Sequence, residues 1–76
     1  NDFTLFVKLR ELRKKLAEQS GVPTYALFTN EQIAEMIRQK VNSISAMEGI
    51  AGIGKGRAGK YGEQFLALLR RESELE

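Results

Sequence analysis

The sequence predicts an all-α fold, four helical segments with the last interrupted near Gly62 and a 3₁₀ turn after the first, on three observations. Apolar residues recur at spacings of three and four along most of the chain. Residues that cap helix N-termini stand at the head of two of these segments. No stretch alternates polar and apolar residues with period two over a useful length, so no sheet is expected. With 76 residues, 42% of them hydrophobic, the chain is one domain near the lower limit at which a single core sustains itself.

The first helix is expected from Phe3 to Gln19. Leu5, Leu9, Leu12 and Leu16 form its apolar stripe, with Phe6 and Arg13 beside them. At about 100° per residue Lys8 and Lys15 fall on one flank of that stripe, and Arg10 with Lys14 on the other. The helix should end by Ser20-Gly21. Pro23 lacks an N–H and pushes Val22 out of the helical region, while Tyr25-Ala26-Leu27-Phe28 is too apolar for a solvated loop, so a 3₁₀ turn is expected there. Thr29-Asn30-Glu31-Gln32 has the form of a capping box and opens a second helix to Lys40, with Ile33, Met36, Ile37 and Val41 on its apolar face. Asn42 or Ser43 can cap a short third helix, Ser43 to Met47, carrying Ile44 and Met47.

Gly49 to Gly54 then form a hairpin turn into a last helix, Lys55 to Arg71, whose apolar face is Ala58, Tyr61, Phe65, Leu68 and Leu69. An apolar-Gly-apolar-Gly turn between helical segments lets one helix double back on the next, because glycine accepts positive φ without a Cβ penalty. This is the pattern of a helix-hairpin-helix. Gly59 and Gly62 lie inside the last helix at about 1 kcal/mol each relative to alanine, and a kink or break is expected near Gly62. Two roles are open for the hairpin: its glycines permit close helix packing, with Ile53 plugging the core, or the free N–H groups at the start of the last helix hold a phosphate. Gly52, Gly54, Lys55 and Arg57 are the residues of that secondary phosphate site.

Composition excludes several classes of function. With no cysteine and no histidine there is no disulfide framework, thiol nucleophile, imidazole chemistry or zinc site of the usual ligands, and no metal is expected. Glu31 and Glu35 share a helix face at i and i+4 but flank a cap and look like solvated surface rather than a catalytic pair. No apolar run approaches the roughly 18 residues of a membrane span, and no signal peptide is visible. An intracellular protein fits best. The chain begins without Met, almost inside a helix, so it reads as a fragment of something larger.

A net charge of +2 and a pI near 9.2 are mild, so the distribution of charge matters more than its total. Lys8, Arg10, Arg13, Lys14 and Lys15 crowd the first helix against only Glu11 and Glu18, while Lys55, Arg57 and Lys60 stand together with no acid among them. The residues after Arg71 run acidic without apolar periodicity, and 72–76 are expected to fray. Cations along one helix face attract phosphates, and an exposed tyrosine stacks a base without reading its identity. Each feature has a plainer alternative. The cations can simply solvate an amphipathic face, and Tyr25 can pack its ring on the first helix with only the hydroxyl exposed.

Taken in order, Leu5-Phe6, Lys8-Leu9-Arg10, Leu12-Arg13-Lys14, Val22-Pro23-x-Tyr25-x-x-Phe28, the Gly-x-Gly hairpin, Ala58 and Tyr61-Gly62 closely resemble the HRDC domain, the helicase and RNase D C-terminal module. The resemblance covers nearly the whole chain, 1–76 as a single domain, and is nearer the RecQ-helicase branch than the RNase D branch. Thr24 departs from it where a second proline is common, and Gly56 and Gly59 are unusual in the hairpin's second helix.

The resemblance implies a compact bundle of about five short helices plus a 3₁₀ turn, serving as a non-catalytic accessory domain without a cofactor and carried by a cytoplasmic, ATP-dependent DNA helicase, nucleoid-associated if bacterial. It implies weak, sequence-independent binding of single-stranded or branched DNA, carried over to Lys8, Arg10, Arg13, Lys14 and Tyr25. The isolated domain is expected to be a monomer with no membrane partner. The alternatives are a spacer that contacts the helicase core in cis, or the corresponding domain of an RNase D-like exoribonuclease.

Overall fold

The computed structural model describes residues 2–74, which form four helices and a 3₁₀ turn, with no strand among them. Helix α1 spans Asp2–Ser20, the 3₁₀ turn Thr24–Ala26, α2 Asn30–Arg38, α3 Ile44–Glu48 and α4 Lys55–Glu74. The two long helices, α1 and α4, pack on each other. α2 and the 3₁₀ turn lie against α1, and α3 lies against α4. Between them Leu9, Phe28, Ile33, Met36, Met47 and Phe65 are shut off from solvent. The rings of Phe28 and Phe65 meet edge to face, centroids 4.8 Å apart, the arrangement favoured by the aromatic quadrupole.

The all-α expectation holds, but the expected break near Gly62 does not occur. α4 is one continuous helix, so the bundle has four helices rather than about five. A Cβ at Gly62 would lie 2.9 Å from Met47 Sδ and 3.0 Å from Ile44 Cδ1. Glycine stands there because α3 presses on the backbone of α4, and the packing offsets the helix-propensity cost of about 1 kcal/mol. Gly56 and Gly59 face open space instead, so the same cost is uncompensated there. The expected fray is partly replaced by helix, since α4 continues to Glu74. Residues 75–76 lie outside those described.

Helix ends are set by local hydrogen bonds. α1 closes on Gly21, at φ 68°, with Gly21 N–H donating to Glu18 O and Val22 N–H to Ala17 O, the paired bonds of a Schellman motif. α2 closes the same way, Lys40 N–H to Ile37 O and Val41 N–H to Met36 O. There a lysine occupies the left-handed position, at φ 53°. That turn stops α2 at Arg38, two residues short of the sequence expectation.

The capping box is present as read: Thr29 Oγ1 accepts from Gln32 N–H at 3.1 Å, and Gln32 Oε1 accepts from Thr29 N–H at 2.9 Å. Ser43, rather than Asn42, caps α3 through Ala46 N–H. Gln32 also reaches the hairpin, donating from Nε2 to Ala51 O at 3.2 Å. The next residue, Gly52, has φ 85° and would place a Cβ 2.6 Å from that same nitrogen. The hairpin's need for positive φ therefore falls on Gly52. Gly54 has neither a positive φ nor a close neighbour. Ile53 is buried between the hairpin's arms, as its spacing suggested.

Candidate nucleic-acid interface

The cations of α1 separate into three environments. Lys8, on the α4 flank, is spoken for: its Nζ lies 2.8 Å from Glu72 Oε1, and this bond holds the Glu72 carboxyl below its ordinary value. Arg13 falls at i+4 from Leu9 and i−3 from Leu16, inside the apolar stripe, and only 8% of it is exposed. Its Nη1 donates to Phe28 O at 2.9 Å, while Nε has no hydrogen-bond partner. Burial, with a smaller contribution from Arg10, lowers its pKa. Arg13 therefore braces α1 against the segment after the 3₁₀ turn and, unlike the other cations of α1 named with it, is buried. Its position in the stripe was the sequence signal for this.

Arg10 and Lys14 occupy the opposite flank from Lys8 and are exposed. The Arg10 guanidinium lies 5.8 Å from the centroid of the Phe6 ring, a cation–π contact that steadies the side chain without neutralising it. Neither cation is paired with a carboxylate among the described residues. Arg13, on the same side of the helix, is tied to Phe28, so this flank faces the segment that leads out of the 3₁₀ turn.

The 3₁₀ turn forms where Pro23 and the apolar run placed it. Ala26 N–H donates to Pro23 O and Leu27 N–H to Thr24 O. Leu27 and Phe28 plunge into the core with no exposure, leaving Tyr25 outside at 66% exposure. The turn thus resolves the alternatives for Tyr25 in favour of an exposed ring. Tyr25 is not alone: Phe3, near the start of α1, is 75% exposed.

The hairpin gathers the other basic group. Gly54 O accepts from Ala58 N–H at the start of α4. Lys55 and Lys60 are exposed and Arg57 is half-buried. The Lys60 ammonium lies 5.4 Å from the ring centroid of Tyr61, a contact not anticipated from the place of Tyr61 on the apolar face of the last helix. Arg70 was also missed. It donates to Asn42 O from Nε at 3.2 Å and from Nη2 at 2.9 Å, tying α4 to the link between α2 and α3. Among the described residues no helix is long and apolar enough to cross a membrane.

The fold is a small all-helical module closed by a glycine hairpin, with two basic groups on its surface. The family model of the HRDC domain matches residues 2–69, and the chain belongs to that family. It is similar to the ATP-dependent DNA helicase RecQ of Haemophilus influenzae, 31% identical over 74 residues, which is 97% of this chain and 12% of the relative. It is also similar to the RecQ helicase of Bacillus subtilis, 34% identical over 62 residues, covering 82% of this chain and 10% of that protein. The Pasteurella multocida helicase is 26% identical over 74 residues. The chain thus spans about an eighth or less of the relatives it matches.

Proposed function

We propose that this domain binds single-stranded or branched DNA weakly and without sequence preference, on the flank of α1 formed by Arg10 and Lys14 together with Tyr25. One observation carries the proposal: the 3₁₀ turn packs on α1 and leaves Tyr25 exposed, and on that helix Arg10 and Lys14 are exposed with no carboxylate partner among the described residues. Such cations exchange condensed counterions for phosphate contacts, and the ring offers a stacking face to any base. Lys8 contributes only after giving up Glu72. The start of α4, with Gly52, Gly54, Lys55 and Arg57, is a secondary phosphate contact at most. In a longer RecQ-type, ATP-dependent helicase the domain would serve as an accessory that retains DNA beside the helicase core, and by itself it would be a monomer.

Fluorescence anisotropy of a labelled oligothymidylate at low and moderate salt tests this. Tyr25→Ala should weaken binding by the roughly 1–3 kcal/mol of one stacked base. Arg10→Glu with Lys14→Glu should weaken it further and flatten the salt dependence. Unchanged affinity in both variants would remove this surface from the function.

A further inference from the structure

We propose that a groove at the end of the molecule away from the 3₁₀ turn docks an acidic polypeptide segment bearing bulky apolar side chains. The inference does not depend on DNA binding. The groove, about 930 Å³, lies between the first turns of α1, the end of α2 with its link to α3, and the last turns of α4. Because α1 rises about 1.5 Å per residue over its 19 residues, this site and the 3₁₀ turn stand at opposite ends of a helix roughly 28 Å long.

The floor is apolar. Leu5, Phe6 and Ile37 are only partly buried against the core, and Phe3 at the edge is 75% exposed. Apart from the two phenylalanines, the apolar part of the lining carries no aromatic ring, which suits apolar side chains better than a run of stacked bases.

Charge then selects among apolar partners. Of the groove's acids, Glu72 is engaged by Lys8, and Asp2 sits in the first turn of α1, where the helix dipole favours an acid. Arg38 is paired with Glu35. Lys40 and Arg70 remain without a carboxylate partner among the described residues. Arg70 is held in place by its two bonds to Asn42 O, and Lys40 stands at the left-handed turn that ends α2. Lys40 and Arg70 set against Asp2 leave the rim net positive, so the complementary partner brings carboxylates to the rim and apolar side chains to the floor. A second copy of the chain fits less well, since a two-fold contact through the groove would bring these cations toward their own counterparts.

The test uses a fluorescein-labelled amphipathic peptide of about 14 residues, built from Glu, Ala, Leu and Phe with apolar residues every three or four positions, and a copy with Lys for every Glu. The acidic peptide should bind at least about tenfold more tightly than its lysine copy. It should shift the amide resonances of Leu5, Ile37 and Val41. Phe3→Ser and Lys40→Glu change exposed side chains, so circular dichroism should show the fold retained, and each should weaken binding about fivefold or more. Equal binding of the two peptides, or full affinity in Lys40→Glu, would overturn the proposal. So would shifts gathered on the Arg10 and Lys14 flank, or self-association through Phe3 without peptide uptake.

Discussion

Arg13 is a buried cation whose one hydrogen bond goes to a neutral carbonyl, Phe28 O. Removing the guanidinium leaves that carbonyl unsatisfied, a loss of about 1–3 kcal/mol, so Arg13→Met should lower stability in urea denaturation by that amount. Arg13→Lys should lose less, because an ammonium can still donate. A Met variant as stable as the parent would show that the brace contributes nothing. The glycines make a sharper contrast, since sequence treats them alike and structure does not. Gly62→Ala must displace Met47 and Ile44, and Gly52→Ala must displace Gln32 and hold φ 85°, so both should destabilise. Gly59→Ala, facing open space, should stabilise by about 1 kcal/mol, a rise of roughly 4–8 °C in Tm for a domain of this size. Equal Tm shifts at Gly59 and Gly62 would contradict the close approach of α3. Sequence could not have separated these positions. The demand at Gly62 comes from Met47, fifteen residues away and brought near only by the hairpin.

At the scale of helices, boundaries set by local chemistry were legible and those set by distant neighbours were not. The capping box at Thr29 and Gln32, the stop at Gly21 and the 3₁₀ turn after Pro23 all follow from bonds within a few residues, and all stand where the sequence put them. The continuity of α4, the burial of Arg13 and the capture of Lys8 by Glu72 depend on which helix lies opposite. Tyr25 was legible only as an alternative, because its exposure follows from Leu27 and Phe28 taking the core positions instead.

Two predictions belong to the ends and contacts of these helices. Lys40→Gly should relieve the left-handed backbone at the end of α2 and raise stability by about 0.5–1 kcal/mol; a fall in Tm would mean that the lysine side chain contributes more than its backbone costs. The clasp between α1 and α4 should respond to acid. The hydrogen bond from Lys8 holds the Glu72 carboxyl below its ordinary value near 4.5, so the folded state binds this proton less tightly than the unfolded chain. The contribution of the pair is then complete above that ordinary value and is lost as pH falls through the lower folded one. The pair is solvent-accessible, so the effect is small. The stability difference between the parent and Glu72→Gln should be present at pH 7 and vanish in acid; a difference independent of pH would exclude the pair as its source.

Across the whole molecule, stability and the proposed binding draw on different residues. A domain of 76 residues has roughly 4–11 kcal/mol to lose, and truncating a core aromatic such as Phe65 costs about 3–5 kcal/mol, so single core changes bring it close to unfolding. The side chains proposed to meet DNA, Arg10, Lys14 and Tyr25, are exposed and outside the core, and their variants should remain folded. The apolar groove and the 3₁₀ turn lie at opposite ends of α1, but the Arg10 guanidinium lies 5.8 Å from the ring centroid of Phe6 on the groove floor, so the two proposed surfaces meet at that contact.

The most direct test of the nucleic-acid interface is a ¹⁵N chemical-shift titration of this domain with a short oligothymidylate at low salt. Saturable shifts should gather on the middle of α1 and on the 3₁₀ turn, around Arg10, Lys14 and Tyr25, and fade as salt is raised. Shifts confined to α4, or none that saturate at low salt, would contradict it.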